Sequence, residues 1–125
     1  MSKYTPKTFQ ELKWLVDDES VYLGDIDTSL ITDMSRMFIE VSREDFCGIE
    51  SWDVSNVVNM YAMFSGQKDF YADLSSWDVS KVENMDSMFY GCKKFNGQIP
   101  KGWDLKADSS YAFLSFRSML KKYKN

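Results

Sequence analysis

Histidine is absent from this 125-residue chain. That omission removes imidazole general bases, the common zinc sites and Ser/Cys–His nucleophile pairs. Neither a P-loop nor a dinucleotide-binding GxGxxG occurs. No apolar run approaches the ~20 residues of a membrane span. The opening stretch, MSKYTPKTFQELKWLVDDES, lacks the apolar core of a signal peptide, and neither Cys47 nor Cys92 stands in a lipidation box. A cytoplasmic location and no contact with a membrane are the resulting expectations. Positive charge is short as well. A net charge of -4 opposes general affinity for a phosphate backbone, which needs clustered Lys and Arg. The glycine-rich ligand loops of calcium-binding β-rolls are missing, so no metal and no cofactor is expected.

The chain does have ample apolar material. A hydrophobic content of 44% with 16% aromatics is enough for a packed core, so disorder is not the reading. Much of it is arranged by repetition. The phrase SWDVS occurs at residues 51–55 and again at 76–80, and each copy is followed by V-x-N-M-x-x-M-F, ending at Phe64 and Phe89. Weaker copies lie on both sides, making Trp52, Trp77 and Trp103 equivalent, as are Met34, Met60 and Met85, and Met37, Met63 and Met88. A fixed period of about 25 residues implies stacked units that bury a shared core. The Trp and Met columns are therefore assigned to the core and not to a cage or cofactor slot.

Within each unit, Trp52 and Val54 alternate with Ser51, Asp53 and Ser55, the period expected of a half-buried strand. Asp33, Asn59 and Asn84 stand directly before M-x-x-M-F, which reads as an N-cap followed by a short helical turn. Gly66 and Gly91 then stop that turn in a left-handed conformation. Each unit is expected to be strand, bend, short helix and loop, with Phe70 and Phe95 in the loops one period apart. Residues 1–19 are expected to form a capping helix, with Thr8 and Glu11 as a capping box and Phe9, Leu12, Trp14, Leu15 and Val16 as its apolar face. The acidic run Asp17-Asp18-Glu19 should end it. Residues 20–106 hold three to four repeats. A fourth copy decays around Pro100 and Trp103, and residues 107–125 are expected to form a C-terminal capping helix on Ala112, Phe113, Phe116, Met119 and Leu120. Cys47 and Cys92 fall at different heights and edges of the stack, so both are expected as free thiols, buried or half-buried.

The phrases LSSWDVS, NMDSMFYGCKKFN and DTSLITDMSRMF are similar to the BspA-like leucine-rich repeats of bacterial surface proteins, over about residues 20–106. The resemblance implies an α/β repeat fold, a short leucine-rich-repeat β/α solenoid with helical caps, acting in adhesion or protein binding.

Stacking at about 4.8 Å would align Asp27, Asp53, Asp78 and Asp104 in one column. Ser29, Ser55 and Ser80 would run beside it, with Asp25, Ser51 and Ser76 before it. These ten residues are the candidate partner-binding set, on outward strand positions of a concave face. Neighbouring carboxylates at that spacing repel by roughly 1 kcal/mol per pair before screening, which demands no metal. Each Asp is read first as accepting bonds from Ser hydroxyls or backbone amides at the turn, and second as part of a cation-seeking face. Repeat-derived carboxylates line up instead of converging in a cleft, so the chain is expected to be non-enzymatic. The leading expectation is a monomeric protein-binding module for a basic protein surface, with no direct nucleic-acid binding. The alternatives are a small acidic inhibitor of a nucleic-acid-handling enzyme, of anti-defence or anti-CRISPR type, and a fragment of a surface adhesin.

Overall fold

The computed structural model describes residues 2–95. Helix α1, Phe9–Asp17, begins where the sequence places its cap: the Thr8 side chain accepts a bond from the Glu11 amide at 3.1 Å. Glu11 answers by accepting from the Lys7 amide at 3.0 Å, one residue before the cap. Leu12 and Val16 are fully buried, and Phe9 and Leu15 pack against the core from its edge. Trp14, assigned above to the apolar face, is 65% exposed and points away from it. The helix stops at the acidic run, and its C-terminal carbonyls are held by Arg43. Arg43 is 5% exposed, and its guanidinium donates to the Val16 and Asp18 carbonyls at 3.3 and 2.6 Å. A cation on the last carbonyls of a helix also complements its dipole. Lys13 ties the helix to the first repeat by donating to the Met37 carbonyl at 2.9 Å.

The repeats lie side by side, but not as a β/α leucine-rich-repeat solenoid. Among the described residues there is no strand. The other regular pieces are single 3-10 turns at Leu23–Asp25 and Ile49–Ser51. Among the described residues the β-bridges between neighbouring coils are isolated parallel ones, at Asp33 with Asn59 and at Asn59 with Asn84, while Tyr4 pairs with Ile26 on the outer edge. The stretch expected to be a strand, around Trp52 and Val54, keeps the expected alternation of buried and exposed side chains but forms no ladder. Side chains join the coils there instead. Trp52 donates its indole N–H to the Leu23 carbonyl at 2.8 Å, and Trp77 to the Ile49 carbonyl at 3.1 Å. The buried Thr28 hydroxyl donates to the Asp53 carbonyl at 2.9 Å.

The short helices expected at M-x-x-M-F are also absent. Each is a turn closed by a bond from the second Met amide to the first Met carbonyl, at 3.2 Å in all three copies. Its third residue has positive φ: Arg36 at 56°, Ala62 at 53° and Ser87 at 59°. That is the mark of a type II turn, not of a helix. The turn frees the next amides to point sideways. Met34, Arg36 and Phe38 donate to the carbonyls of Asn59, Tyr61 and Met63 at 2.8, 2.8 and 2.9 Å. Met60, Ala62 and Phe64 repeat the pattern onto Asn84, Asp86 and Met88 at 2.7, 2.9 and 3.0 Å. The ladder thus runs through the stretch that looked helical.

Between these edges lies one continuous core. All six repeat methionines are at most 3% exposed. Phe38, Phe64 and Phe89 stack face to face at 5.2 and 5.8 Å, and Phe70 and Phe95 stack on Phe64 and Phe89 at 4.1 and 4.3 Å. Phe46 closes the column edge-on against Phe38 and Phe70. The fourth repeat with Trp103 and Asp104, and the expected C-terminal helix, lie outside the described residues.

Two residues after each Phe the chain again turns left-handed: Glu40 at φ 59°, Gly66 at 82° and Gly91 at 79°. The sequence expectation for the two glycines holds, while Glu40 carries a side chain at a position that disfavours one by roughly 1–2 kcal/mol. Glu40→Gly is expected to stabilise the protein by about 0.5–1 kcal/mol after the unfolded-chain entropy is subtracted. Gly48→Ala should destabilise it by more, because a Cβ there would stand 2.4 Å from the Gly24 backbone nitrogen. Urea midpoints of the two variants check both signs.

Candidate binding surfaces

Asp-x-Ser occurs six times in the described chain, and at Asp27, Asp53 and Asp78 it recurs in one repeat column. An Asp whose carboxylate receives the amide two residues on forms an Asx turn, which reverses the chain without a helix. Asp53 Oδ1 accepts from the Ser55 amide at 3.0 Å and from its hydroxyl at 2.6 Å. Asp27 and Asp78 accept from the amides of Ser29 and Ser80, both at 3.0 Å. Asp18 with Ser20, Asp33 with Ser35 and Asp73 with Ser75 close in the same way. The local reading of the Asp column, as acceptors for their own Ser partners, is what the geometry shows.

These bonds have an electrostatic consequence. At Asp78 the Ser80 hydroxyl and then its amide hold the carboxyl below the ordinary range, and Lys81 adds a smaller pull. At Asp27 the Ser29 amide and then its hydroxyl do the same. Asp73 and Asp18 are lowered first by the hydroxyls of Ser75 and Ser20.

The expected set is only partly brought together. Asp53, Asp78, Ser76 and Ser80 are exposed, with Asp27, Ser29 and Ser55 half-buried beside them. Cross-links between coils keep this ridge in register: Asn56 donates to the Ser29 carbonyl at 2.8 Å, and Lys81 donates to the Asn56 side chain at 3.0 Å. Asp25 departs from the row. It is half-buried, its carbonyl takes the amides of Lys3 and Tyr4 at 2.7 and 3.1 Å, and its carboxylate meets Lys3 at 3.6 Å. Ser51 is exposed and its hydroxyl donates locally to the Gly48 carbonyl at 2.8 Å. Asp104 lies outside the described residues. The concave strand face expected to carry these residues is not formed, because they belong to turns without a sheet behind them. The Asp-x-Ser spacing was visible at Asp18, Asp33 and Asp73 too, and was the signal that would have identified all six as turn-formers.

Depressions also mark the described surface, and two of them bear on binding. One of about 570 Å3 lies at the exit of α1, where Glu19, Glu44 and Asp45 surround the buried Arg43. Burial lowers the Arg43 pKa, and Asp45, Glu19 and Asp18 counter part of that effect. The other, about 510 Å3, runs over the M-x-x-M turns and was not anticipated from the sequence. Among the described residues no three His, Cys, Asp or Glu side chains are grouped to hold a metal.

The cysteines differ sharply. Cys47 is exposed, against the expectation that both would be buried or half-buried, while Cys92 is buried and donates to the Phe64 carbonyl at 3.1 Å. Burial pushes the Cys92 thiol up to about 12.

With this geometry described, comparison places the chain in a family. The family described as Mycoplasma protein of unknown function, DUF285, matches residues 6–125, and the chain belongs to it. That family is associated with BspA-like surface repeat proteins. No curated protein and no solved structure matched the chain. Among the described residues no helix is long and apolar enough to cross a membrane.

Two outcomes follow from the site chemistry. A carboxylate lowered on folding stabilises the fold above its unfolded pKa of about 3.9, and the contribution disappears as pH falls through the lower folded value. Stability should therefore decline below about pH 4, and Ser80→Ala should flatten that decline by releasing Asp78; thermal melts between pH 2 and 7 read both. In native protein a thiol reagent at neutral pH should titrate Cys47 quickly and reach Cys92 only on unfolding, since the thiolate is the reacting species.

Proposed function

We propose that this chain is a non-catalytic protein-binding module whose Asp/Ser ridge recognises a basic protein surface. The observation that carries the reading is the set of Asx turns on successive coils. Each engages one carboxylate oxygen through Ser, which keeps Asp27 and Asp78 ionised and oriented while leaving the charge of the carboxylates to act outward. Rows of like charge on a rigid scaffold raise the rate at which an oppositely charged partner docks. The location proposed with this reading is the cytoplasm.

The association of the family with surface repeat proteins supports a second reading, in which the same ridge serves an adhesin outside the cell. One experiment separates them. Wild type and an Asp53→Lys/Asp78→Lys variant serve as bait against clarified lysate and against intact cells of the producing species' surroundings, with captured proteins identified by mass spectrometry. A basic protein taken from lysate by the wild type, and reduced about tenfold or more in the variant and by added salt, is the expected result. Capture of the same protein by both baits moves recognition off the ridge and overturns the proposal. Binding to intact cells alone selects the adhesin reading.

A further inference from the structure

Internal repetition separates what the fold requires from what it merely tolerates. Columns that build the structure are constant over the three coils: Met, Met and Phe in the core, and Asp and Ser at the Asx turns. The columns over the M-x-x-M turns are not. They read Ser35, Tyr61, Asp86; Arg36, Ala62, Ser87; and Ile39, Ser65, Tyr90. All of them except Ser35 line the groove of about 510 Å3.

The backbone adds a second observation. Arg36, Ala62 and Ser87 all sit at positive φ, where glycine carries least strain and where the chain does use glycine at the comparable Gly66 and Gly91. Three side chains are thus kept at a conformational cost in one place. Non-glycine residues held left-handed against such a cost cluster at ligand clamps and other functional surfaces.

The groove is built for a side chain and an anion. Ala62 and Ser65 in the middle coil are small, and Ile39 and the half-exposed Tyr90 rise on the coils to either side. Arg36 lies over the Tyr61 ring at 4.8 Å, so the aromatic face holds the guanidinium in place. Tyr and Arg around a small-residue floor are the composition of a binding hot spot. Asp86 lines the groove two coils from Arg36, roughly 10 Å at the usual spacing, so an anionic group is accepted at the Arg36 end alone.

We propose that this groove binds an extended segment of a partner protein that presents an aliphatic or aromatic side chain beside a carboxylate. The side chain fills the space over Ala62 between Ile39 and Tyr90, and the carboxylate meets Arg36. The surface is separate from the Asp/Ser ridge and stands or falls independently of it.

The test uses amide NMR on the full chain with two blocked tetrapeptides, Gly-Leu-Asp-Gly and Gly-Leu-Lys-Gly, at millimolar concentration. Shifts from the Asp peptide confined to residues around 36–39, 61–65 and 87–90 are expected, with at least about threefold weaker binding of the Lys peptide. Arg36→Gly is the informative variant, because it relieves a left-handed residue and so keeps or raises stability while removing the anion contact. It should weaken binding of the Asp peptide about tenfold, with the thermal midpoint unchanged or higher. Tyr90→Ala should weaken both peptides, and Asp53→Lys/Asp78→Lys neither. Equal binding of the two peptides, shifts elsewhere, no shifts at all, or unimpaired binding by Arg36→Gly would each overturn the proposal.

Discussion

The sideways turn of the M-x-x-M-F backbone is the constraint on which the rest of the described structure depends. In a helix those amides would be satisfied within the segment, and each repeat could in principle stand alone. Here Met34, Arg36 and Phe38 find their acceptors only on the next coil, as do Met60, Ala62 and Phe64. Buried amides left without acceptors cost more than the bonds contribute when made. No coil is therefore complete without its successor, and stability is shared along the stack. The same turn aims the methionines and phenylalanines inward, so ladder and core form together.

Away from the ladder a different device joins the coils. The segment through Trp52 is extended but offers no paired backbone, and a plain Leu there would fill the core without bridging the gap. Trp supplies apolar bulk and one donor at the far end of the ring, and Trp52 and Trp77 each place that donor on the preceding coil. A buried indole N–H needs such a partner. This explains why the middle apolar position of the repeat is Trp. α1 completes the first coil in the same manner, with Arg43 and Lys13 reaching backbone carbonyls where a further coil would otherwise have supplied contacts.

How much of this was legible depended on what each signal encodes. Core membership was readable because burial follows period and residue size: all the repeat Met and Trp within the described residues are buried as expected. Backbone conformation was not, because two different structures share the same cues. Asp33, Asn59 and Asn84 do receive the bond expected of an N-cap, from the amides of Ser35, Tyr61 and Asp86 at 2.8, 2.9 and 3.0 Å. The cap forms and the helix does not. An Asx turn and a helix N-cap begin with the same hydrogen bond, and only the third residue's φ separates them. Nothing in Arg36, Ala62 or Ser87 announces a left-handed residue, since none is Gly or Asn. Alternation around Trp52 was misleading in the opposite sense, because it reports which side chains are buried and not whether the backbone is paired.

The two candidate surfaces differ in what the repeat itself explains. Asp27, Asp53 and Asp78 are constant, and their turn geometry accounts for that constancy without a ligand. Their charge is a consequence of the fold, yet it still acts on whatever approaches, and at Asp27 and Asp78 the bonds to Ser favour the ionised form. The groove is the reverse case. Its residues change from coil to coil while the backbone beneath them does not, so the backbone did not select them. Arg36 in particular would be easier to accommodate as glycine. A surface that varies over an invariant frame, at a cost the frame does not require, points to selection by something that the groove contacts; in the proposed function the ridge would supply attraction and the groove the means to discriminate.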